Sequence, residues 1–392
     1  MTHRGLPRNW LLVAAMCMSS GTKAGVWVTD PTLGLAADYS SNPALLYTSH
    51  TAETRGAILI DTPTTYHADS VSLMVLPSFR ITNSSGYSSL ASDYAHLTMR
   101  GEIDSERDTL AVTGQVARDS SLYFNGNLNG STGVRRDTTA ADVSWVRALT
   151  ERLNFDLDVN SSRVVYGNLA SFTLTDYRYT STAPSLSWNA GERTTLSLVT
   201  NAGLYNSADG TTKSVNSALE LGAKRQLAEL WSVNATAGYS RETNTIEEYF
   251  GPYLLGTFRS TTTGTVYTAS VTRQGQLLTV AATASRSLVP SGFSFLSLQE
   301  SYQLGFHYLR TERWTFDGYA RWLKSSEPQE QGPTVEQSYA GLGLSAAWLF
   351  TEKWTLTLGA SRVTSKYAAT TELAANGFTV QFSRSFDPIK WQ

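Results

Sequence analysis

From Val71 onward, apolar and polar residues alternate one for one over runs of about ten residues, the period of a strand with one greasy and one wet face. In Leu153-Asn154-Phe155-Asp156-Leu157-Asp158-Val159-Asn160 every odd position is apolar and every even one polar. Trp314-Thr315-Phe316-Asp317-Gly318-Tyr319-Ala320-Arg321-Trp322 repeats the pattern, with an indole at each end of its apolar face. At ~3.3 Å per residue and a strand tilt near ~40°, that spacing approximates the height of a bilayer's apolar band. The alternation predicts sixteen strands after residue 70, near 71–82, 92–103, 107–118, 136–148, 153–166, 176–188, 193–206, 213–226, 231–242, 263–273, 277–287, 299–309, 314–324, 337–349, 354–364 and 376–386. Leu33–Ser40 and Arg55–Thr62 add one up-and-down pair, which makes eighteen. Residues 25–70 then hold the first two strands, and the competing reading makes 25–66 a plug or a periplasmic segment.

The connections alternate as well. Links after even-numbered strands are short and those after odd ones generally long, the longest being Asp119–Arg135 and Arg241–Thr262. Several short links share one design: Leu149-Thr150-Glu151-Arg152-Leu153, Leu227-Ala228-Glu229-Leu230-Trp231, Leu309-Arg310-Thr311-Glu312-Arg313-Trp314 and Leu349-Phe350-Thr351-Glu352-Lys353-Trp354, with Asn189-Ala190-Gly191-Glu192-Arg193 as a looser copy. Polar turns flanked by aromatics, recurring between such strands, are how an antiparallel barrel turns at a membrane face. The fold class is therefore all-β, a transmembrane antiparallel up-and-down barrel of sixteen to eighteen strands occupying residues 71–392 and, in the larger count, part of 25–70. A soluble sandwich or β-helix also alternates, but it has no reason to place Trp and Tyr at strand ends or to alternate short with long connections.

Arg4 and Arg8 precede a short apolar core from Trp10 to Met18 and then Thr22-Lys23-Ala24, so residues 1–24 read as an export signal cleaved after Ala24. The apolar run is too short for a bilayer that needs ~20 helical residues. Cys17, the chain's one cysteine, lies in that segment, and Met16 occupies the place where a lipoprotein signal needs a small residue. Without thiols, the mature chain has no disulfide framework, thiolate metal site or cysteine nucleophile. A formal charge of −2 with pI near 6.2 offers no basic footprint for nucleic acid. The mean hydropathy of −0.21 would suit a soluble protein, yet a barrel averages each lipid-facing residue with a lumen-facing one.

Further local features are Asp38-Tyr39-Ser40-Ser41-Asn42-Pro43 near the mature start, Ala117-Arg118-Asp119-Ser120-Ser121 closing a strand, Trp145 followed by Leu149-Thr150-Glu151-Arg152, and Asp176-Tyr177-Arg178. In these the chain resembles a family of porin-like bacterial outer-membrane barrels often associated with exopolysaccharide loci. The resemblance implies a Gram-negative outer-membrane location, and passage of polysaccharide or attachment to its export machinery. The last strand, Gly377 to Phe386, alternates aromatic and polar residues like the segment that barrel-assembly machinery recognises, although Asp387 to Gln392 follow it.

Parity places Arg80, Arg100, Glu102, Asp156, Asp158, Glu220, Lys224, Asp317 and Arg321 on the lumen side, where selectivity would be set. Both signs occur, without the Arg/Lys excess of an anion pore. Tyr319 and Tyr339 face inward too, either as stacking surfaces for sugars or as barrel filler. No catalytic spacing such as His-Glu-x-x-His or Gly-x-Ser-x-Gly appears, and only His96 and His307 fall within strands. Neither a catalytic residue, a cofactor nor a metal is expected. Glu242, Glu247 and Glu248 read as a solvated loop, with calcium binding or divalent bridging to lipopolysaccharide as the alternative. The apolar stretch Tyr249–Phe258 is unusual for a free external loop and suits an inward constriction, a segment lying along the outer leaflet, a partner contact or a strand continuing above the membrane. The expected function is a porin-like channel without covalent chemistry, with lipid, lipopolysaccharide and assembly machinery as partners and possible dealings with polysaccharide or export components. A plugged docking barrel acting through a partner is the alternative, and a membrane-embedded hydrolase using His96 or His307 is a third class.

Overall fold

The computed structural model describes residues 25–43, 45, 52–84, 94–120, 135–167, 174–250, 253–292, 296–327, 335–367 and 372–391. The expected export signal lies outside them. The strands are β1 (Val26–Thr29), β2 (Thr32–Ser40), β3 (Glu53–Asp61), β4 (Thr64–Ala68), β5 (Val71–Ser84), β6 (Tyr94–Asp104), β7 (Asp108–Ser120), β8 (Arg135–Ala148), β9 (Leu153–Gly167), β10 (Tyr177–Gly191) and β11 (Thr194–Ser207). They continue as β12 (Thr212–Gln226), β13 (Trp231–Phe250), β14 (Tyr253–Gln274), β15 (Leu278–Pro290), β16 (Leu296–Thr311), β17 (Trp314–Glu327), β18 (Val335–Thr351), β19 (Trp354–Tyr367), β20 (Leu373–Ser385) and β21 (Ile389–Trp391). Every pairing is antiparallel, and β20 closes on β2 from Thr32↔Ser385 to Ser40↔Gly377.

Three of the eighteen wall strands are interrupted near proline, which gives the ladder no N–H. β1 with β2 is one strand broken at Asp30-Pro31, β3 with β4 one broken at Thr62-Pro63, and β20 with β21 one broken around Pro388, as their shared partners show. The breaks lie on neighbouring strands and stay bonded: Asp30 N–H donates to the Pro63 carbonyl at 3.0 Å, and Phe386 N–H to that of Pro31 at 2.9 Å. Residues 26–40 and 53–68 are therefore wall rather than plug.

The repeated turns have one local cause. Thr150 Oγ1 accepts hydrogen bonds from the backbone N–H groups of Arg152 (3.3 Å) and Leu153 (3.0 Å), and Thr311 Oγ1 from those of Arg313 (3.3 Å) and Trp314 (3.2 Å). Thr351 does the same for Lys353 and Trp354. A threonine hydroxyl standing in for a carbonyl sets these turns. Where Ala228 replaces it, the Gln226 amide donates to the carbonyls of Ala228 and Glu229 instead.

The register fixes the faces. Leu33, Leu35, Ile58, Ile81, Leu219, Leu304, Leu344, Leu358 and Val380 point outward and are exposed, as lipid contact requires. Aromatic belts bound this band. Toward the short turns, Trp314 stacks on Trp348 (5.7 Å) and Trp354 on Phe382 (4.6 Å), while toward the long connections Tyr302 packs on Trp322 (5.4 Å) and Tyr39 on Phe378 (6.4 Å). An even strand count, short turns at the end where β1 begins and β21 finishes, and a belted apolar outer face make this a bacterial outer-membrane barrel.

One expectation is corrected. Arg241–Thr262 is not a loop: β13 runs to Phe250 and β14 resumes at Tyr253, in register from Arg241↔Thr263 to Phe250↔Tyr253 with one irregularity at Glu248/Tyr249. Outward residues turn from apolar Val233, Ala235, Ala237 and Tyr239 to Arg241, Thr243 and Thr245, so the hairpin continues above the lipid. Threonine favours extended backbone whatever its solvent.

Candidate functional site: the lumen

Inward side chains divide the lumen into two zones. Toward the short turns they are half-exposed; toward the long connections they are buried on most of the wall, as at Glu53, Arg55, Asp119, Arg136, Tyr166, Tyr177, Tyr205, Ser214, Glu242, Ser325 and Gln337. One cause is the segment between β15 and β16. Above Tyr267↔Arg286 the β15–β16 hairpin leaves β14, and its tip reaches the inner wall of β9–β11. Tyr205 donates its hydroxyl to the Ser291 carbonyl at 3.0 Å, Thr175 N–H donates to the Gly292 carbonyl at 2.8 Å, and Leu296 joins Val164, Tyr166, Leu174, Tyr177 and Tyr205 in a buried cluster. A side chain at Gly292 would meet the Tyr166 ring at 3.0 Å and Leu174 at 3.1 Å, so glycine permits this close approach. This tip narrows the upper lumen. Of the stretch Tyr249–Phe258, expected from sequence as one candidate for that role, the described residues 249–250 and 253–258 lie in β13 and β14, in the hairpin above the lipid.

The residues assigned inward by parity occupy the non-lipid face and differ in their partners. Arg80 on β5 pairs with Asp38 on β2, and Asp38 also accepts Thr379 Oγ1 of β20 at 2.9 Å, which ties three wall strands at the closure. Arg100 and Glu102 pair along β6 at 2.6 Å. Asp156 accepts hydroxyls from Ser185 (3.1 Å) and Ser187 (3.0 Å), and Glu220 one from Thr236 (3.0 Å). Asp158 sits diagonally from Asp142 across β8–β9, and Lys224 lies near the short-turn end of β12. Asp317 pairs with His307 Nδ1 at 2.7 Å. Arg321 projects between Tyr319 and Tyr339; Tyr319 lies over Gly343, its direct partner on β18, where any Cβ would fall 2.2 Å from the ring.

The hydrogen bonds of His96 and His307 run to Gln115 and Asp317 rather than to a serine. Among the described residues no group of three or more His, Cys, Asp or Glu side chains is placed to hold a metal.

Sequence reasoning passed over a buried lumen pair joined by two hydrogen bonds. Arg136 donates to Asp119 through Nε (3.0 Å) and Nη2 (2.7 Å), both groups nearly out of solvent. Their parity was legible, but Asp119 and Arg135 looked like loop edges. With Arg55 matched by Glu53, Arg80 by Asp38, Arg100 by Glu102 and Arg136 by Asp119, the described lumen keeps Lys224 and Arg321 against Asp61, Asp104, Asp142, Asp156, Asp158, Glu220, Glu242 and Asp317. Acids predominate inside. Outward positions above the lipid band are instead basic, among them Arg118, Arg163, Arg178, Lys213, Arg241 and Arg362.

Glu242, expected in a solvated loop with calcium binding as the alternative, is instead a buried strand residue of β13 opposite Asn216. It lies above the lipid band, beyond outward Tyr239, and is 4% exposed. Burial pushes its carboxyl up to about 7, against a hydrogen bond from Asn244 that pulls the other way.

No family model matches the sequence, and no curated protein matches it. Solved structures similar to the chain include three proteins of Pseudomonas aeruginosa, among them the outer membrane protein OpdK. OpdK shows 12% identity at a TM-score of 0.48, covering 93% of this chain and 99% of its own. OccK3 (OpdO) shows 13% identity at 0.47 over 92% and 96%, and OccK9 (OpdG) 12% at 0.47 over 91% and 98%. At such values the likeness identifies neither a family nor a solute, and the barrel rests on the chain's own register.

Proposed function

We propose that this chain is a passive outer-membrane channel that favours cations over anions. The observation behind this reading is the surplus of unmatched lumen carboxylates, concentrated where Asp142, Asp156 and Asp158 adjoin on β8 and β9. Rings of Asp and Glu select cations as rings of Arg and Lys select anions. The nine residues named from sequence line the path, and the β15–β16 tip sets its narrowest part. Reversal potential across a planar bilayer under a salt gradient tests the reading: cation selectivity supports it, and anion selectivity overturns it.

Passage or supported export of polysaccharide is the narrower reading drawn from the resemblance, and an acidic lumen restricts it to neutral or cationic glycans. A docking barrel with a closed lumen is the second reading, favoured by the buried upper wall, and it predicts a silent bilayer. Either way the basic outer rim suits the phosphates of lipopolysaccharide, and the aromatic alternation of β20 suits the assembly machinery.

A further inference from the structure

On the lumen face of β12 and β13, above the lipid band, four polar side chains form a two-by-two patch. Ser214 lies directly opposite Asn244 and Asn216 directly opposite Glu242. They are 0%, 5%, 6% and 4% exposed, respectively. Their outward neighbours Lys213, Val215 and Arg241 are open to the exterior, so the cover comes from inside the barrel. Each member of the patch carries a buried oxygen with no hydrogen-bond partner: Ser214 Oγ, Asn244 Oδ1, Asn216 Oδ1 and Glu242 Oε1.

Every orphan is an oxygen that can accept. The amide of Asn244 is engaged with Glu242 and that of Asn216 with Tyr179, which leaves the carbonyl ends free. No lysine or arginine faces Glu242 among the described lumen residues of β10–β14; the register sets Asn216 and Thr262 opposite it and Ser240 and Asn244 beside it along β13, and Tyr179 lies close enough to feel its charge. A carboxylate buried beside uncharged acceptors needs a positive partner or a proton. Carboxylate, amide carbonyl and hydroxyl oxygens lying unpaired on one two-strand patch, with Asn216 Oδ1 turned over Gly203 of β11, are the donor types of a hard cation, and the mix matches calcium more closely than magnesium, which demands a strict octahedron and keeps its water.

We propose that Glu242, Asn216, Asn244 and Ser214 form a calcium site in the upper lumen wall. The site does not depend on whether the barrel conducts. Binding pins β12 to β13 next to the inward β15–β16 tip, and it competes with the proton on Glu242, so affinity rises from about pH 6 to about pH 8.

The test uses the full mature barrel refolded from denaturant into detergent, free of lipopolysaccharide and stripped with chelator. Terbium luminescence sensitised by tyrosine, with displacement by calcium, is followed by calorimetric titration of calcium itself. Wild type is expected to bind one calcium saturably, with magnesium at least tenfold weaker. E242Q, which keeps the shape of the side chain, should lose at least tenfold in affinity while retaining the heat-modifiable gel mobility of a folded barrel, and S214A should lose less. Should E242Q misfold, N244L supplies the same comparison from the opposite strand. Absence of saturable binding by wild type at pH 8, as when water alone fills the patch, overturns the proposal; so does undiminished binding by folded E242Q or N244L.

Discussion

Replacing Tyr205 should release the inward tip of the β15–β16 hairpin. Tyr205 is fully buried, its ring 5.2 Å from that of Tyr177, and its hydroxyl donates to the Ser291 carbonyl across the lumen. Tyr205→Phe removes that one hydrogen bond and should weaken docking by about 1 kcal/mol, roughly a fivefold shift toward the undocked state. Tyr205→Ala also empties the centre of the cluster that holds Leu296, at about 3–5 kcal/mol, a shift of roughly two to four orders of magnitude. Single-channel recording should then show longer dwell in a higher-conductance level for Tyr205→Phe and nearly permanent occupancy of it for Tyr205→Ala. Limited proteolysis should cut near residues 291–296 in the same order. If folded Tyr205→Ala keeps both the wild-type current and the wild-type protease resistance, the tip is held by something else and the reasoning fails.

Deleting residues 249–254 should leave single-channel conductance unchanged, since that hairpin stands above the wall; a larger current would restore it as a constriction. Asp38→Asn should lower the unfolding free energy in detergent by about 1–2 kcal/mol, read as a lower denaturation midpoint, because Asp38 joins Arg80 and Thr379 across the closure, and an unchanged midpoint would contradict that role. In calcium-free buffer, barrel stability should fall as pH rises through the interval between an ordinary glutamate and about 7, where Glu242 loses its proton in the folded state. Glu242→Gln should remove that slope and stand about 3 kcal/mol above wild type at pH 8 in chemical denaturation; parallel pH profiles would refute the assignment.

The wall was legible because its rule is local. Along Leu153–Asn160 or Trp314–Trp322 each residue declares its face by parity, and the repeated Thr-Glu-Arg and Thr-Glu-Lys turns announce the strand ends. The lumen was legible only as a list. Nothing in the sequence brings Ser291 to Tyr205, residues 86 apart, because that contact depends on the β15–β16 hairpin leaving its neighbour β14. The same limit hid the patch at Glu242. Once outward residues turned from Tyr239 to Arg241 the lipid signal ended, while the strand, held by Thr-rich pairing, went on. The expected Leu33–Ser40 and Arg55–Thr62 cover only part of their strands, which continue past the breaks at Pro31 and Pro63.

A cysteine scan of β17 from residue 315 to 322, in a Cys17→Ser background reconstituted into vesicles, tests the two-faced wall most directly. Thr315, Asp317, Tyr319 and Arg321 variants should react with a charged, water-soluble thiol reagent, and Phe316, Gly318, Ala320 and Trp322 variants should not. A flat profile, or reaction confined to the even positions, would contradict an aqueous interior behind a lipid-facing exterior.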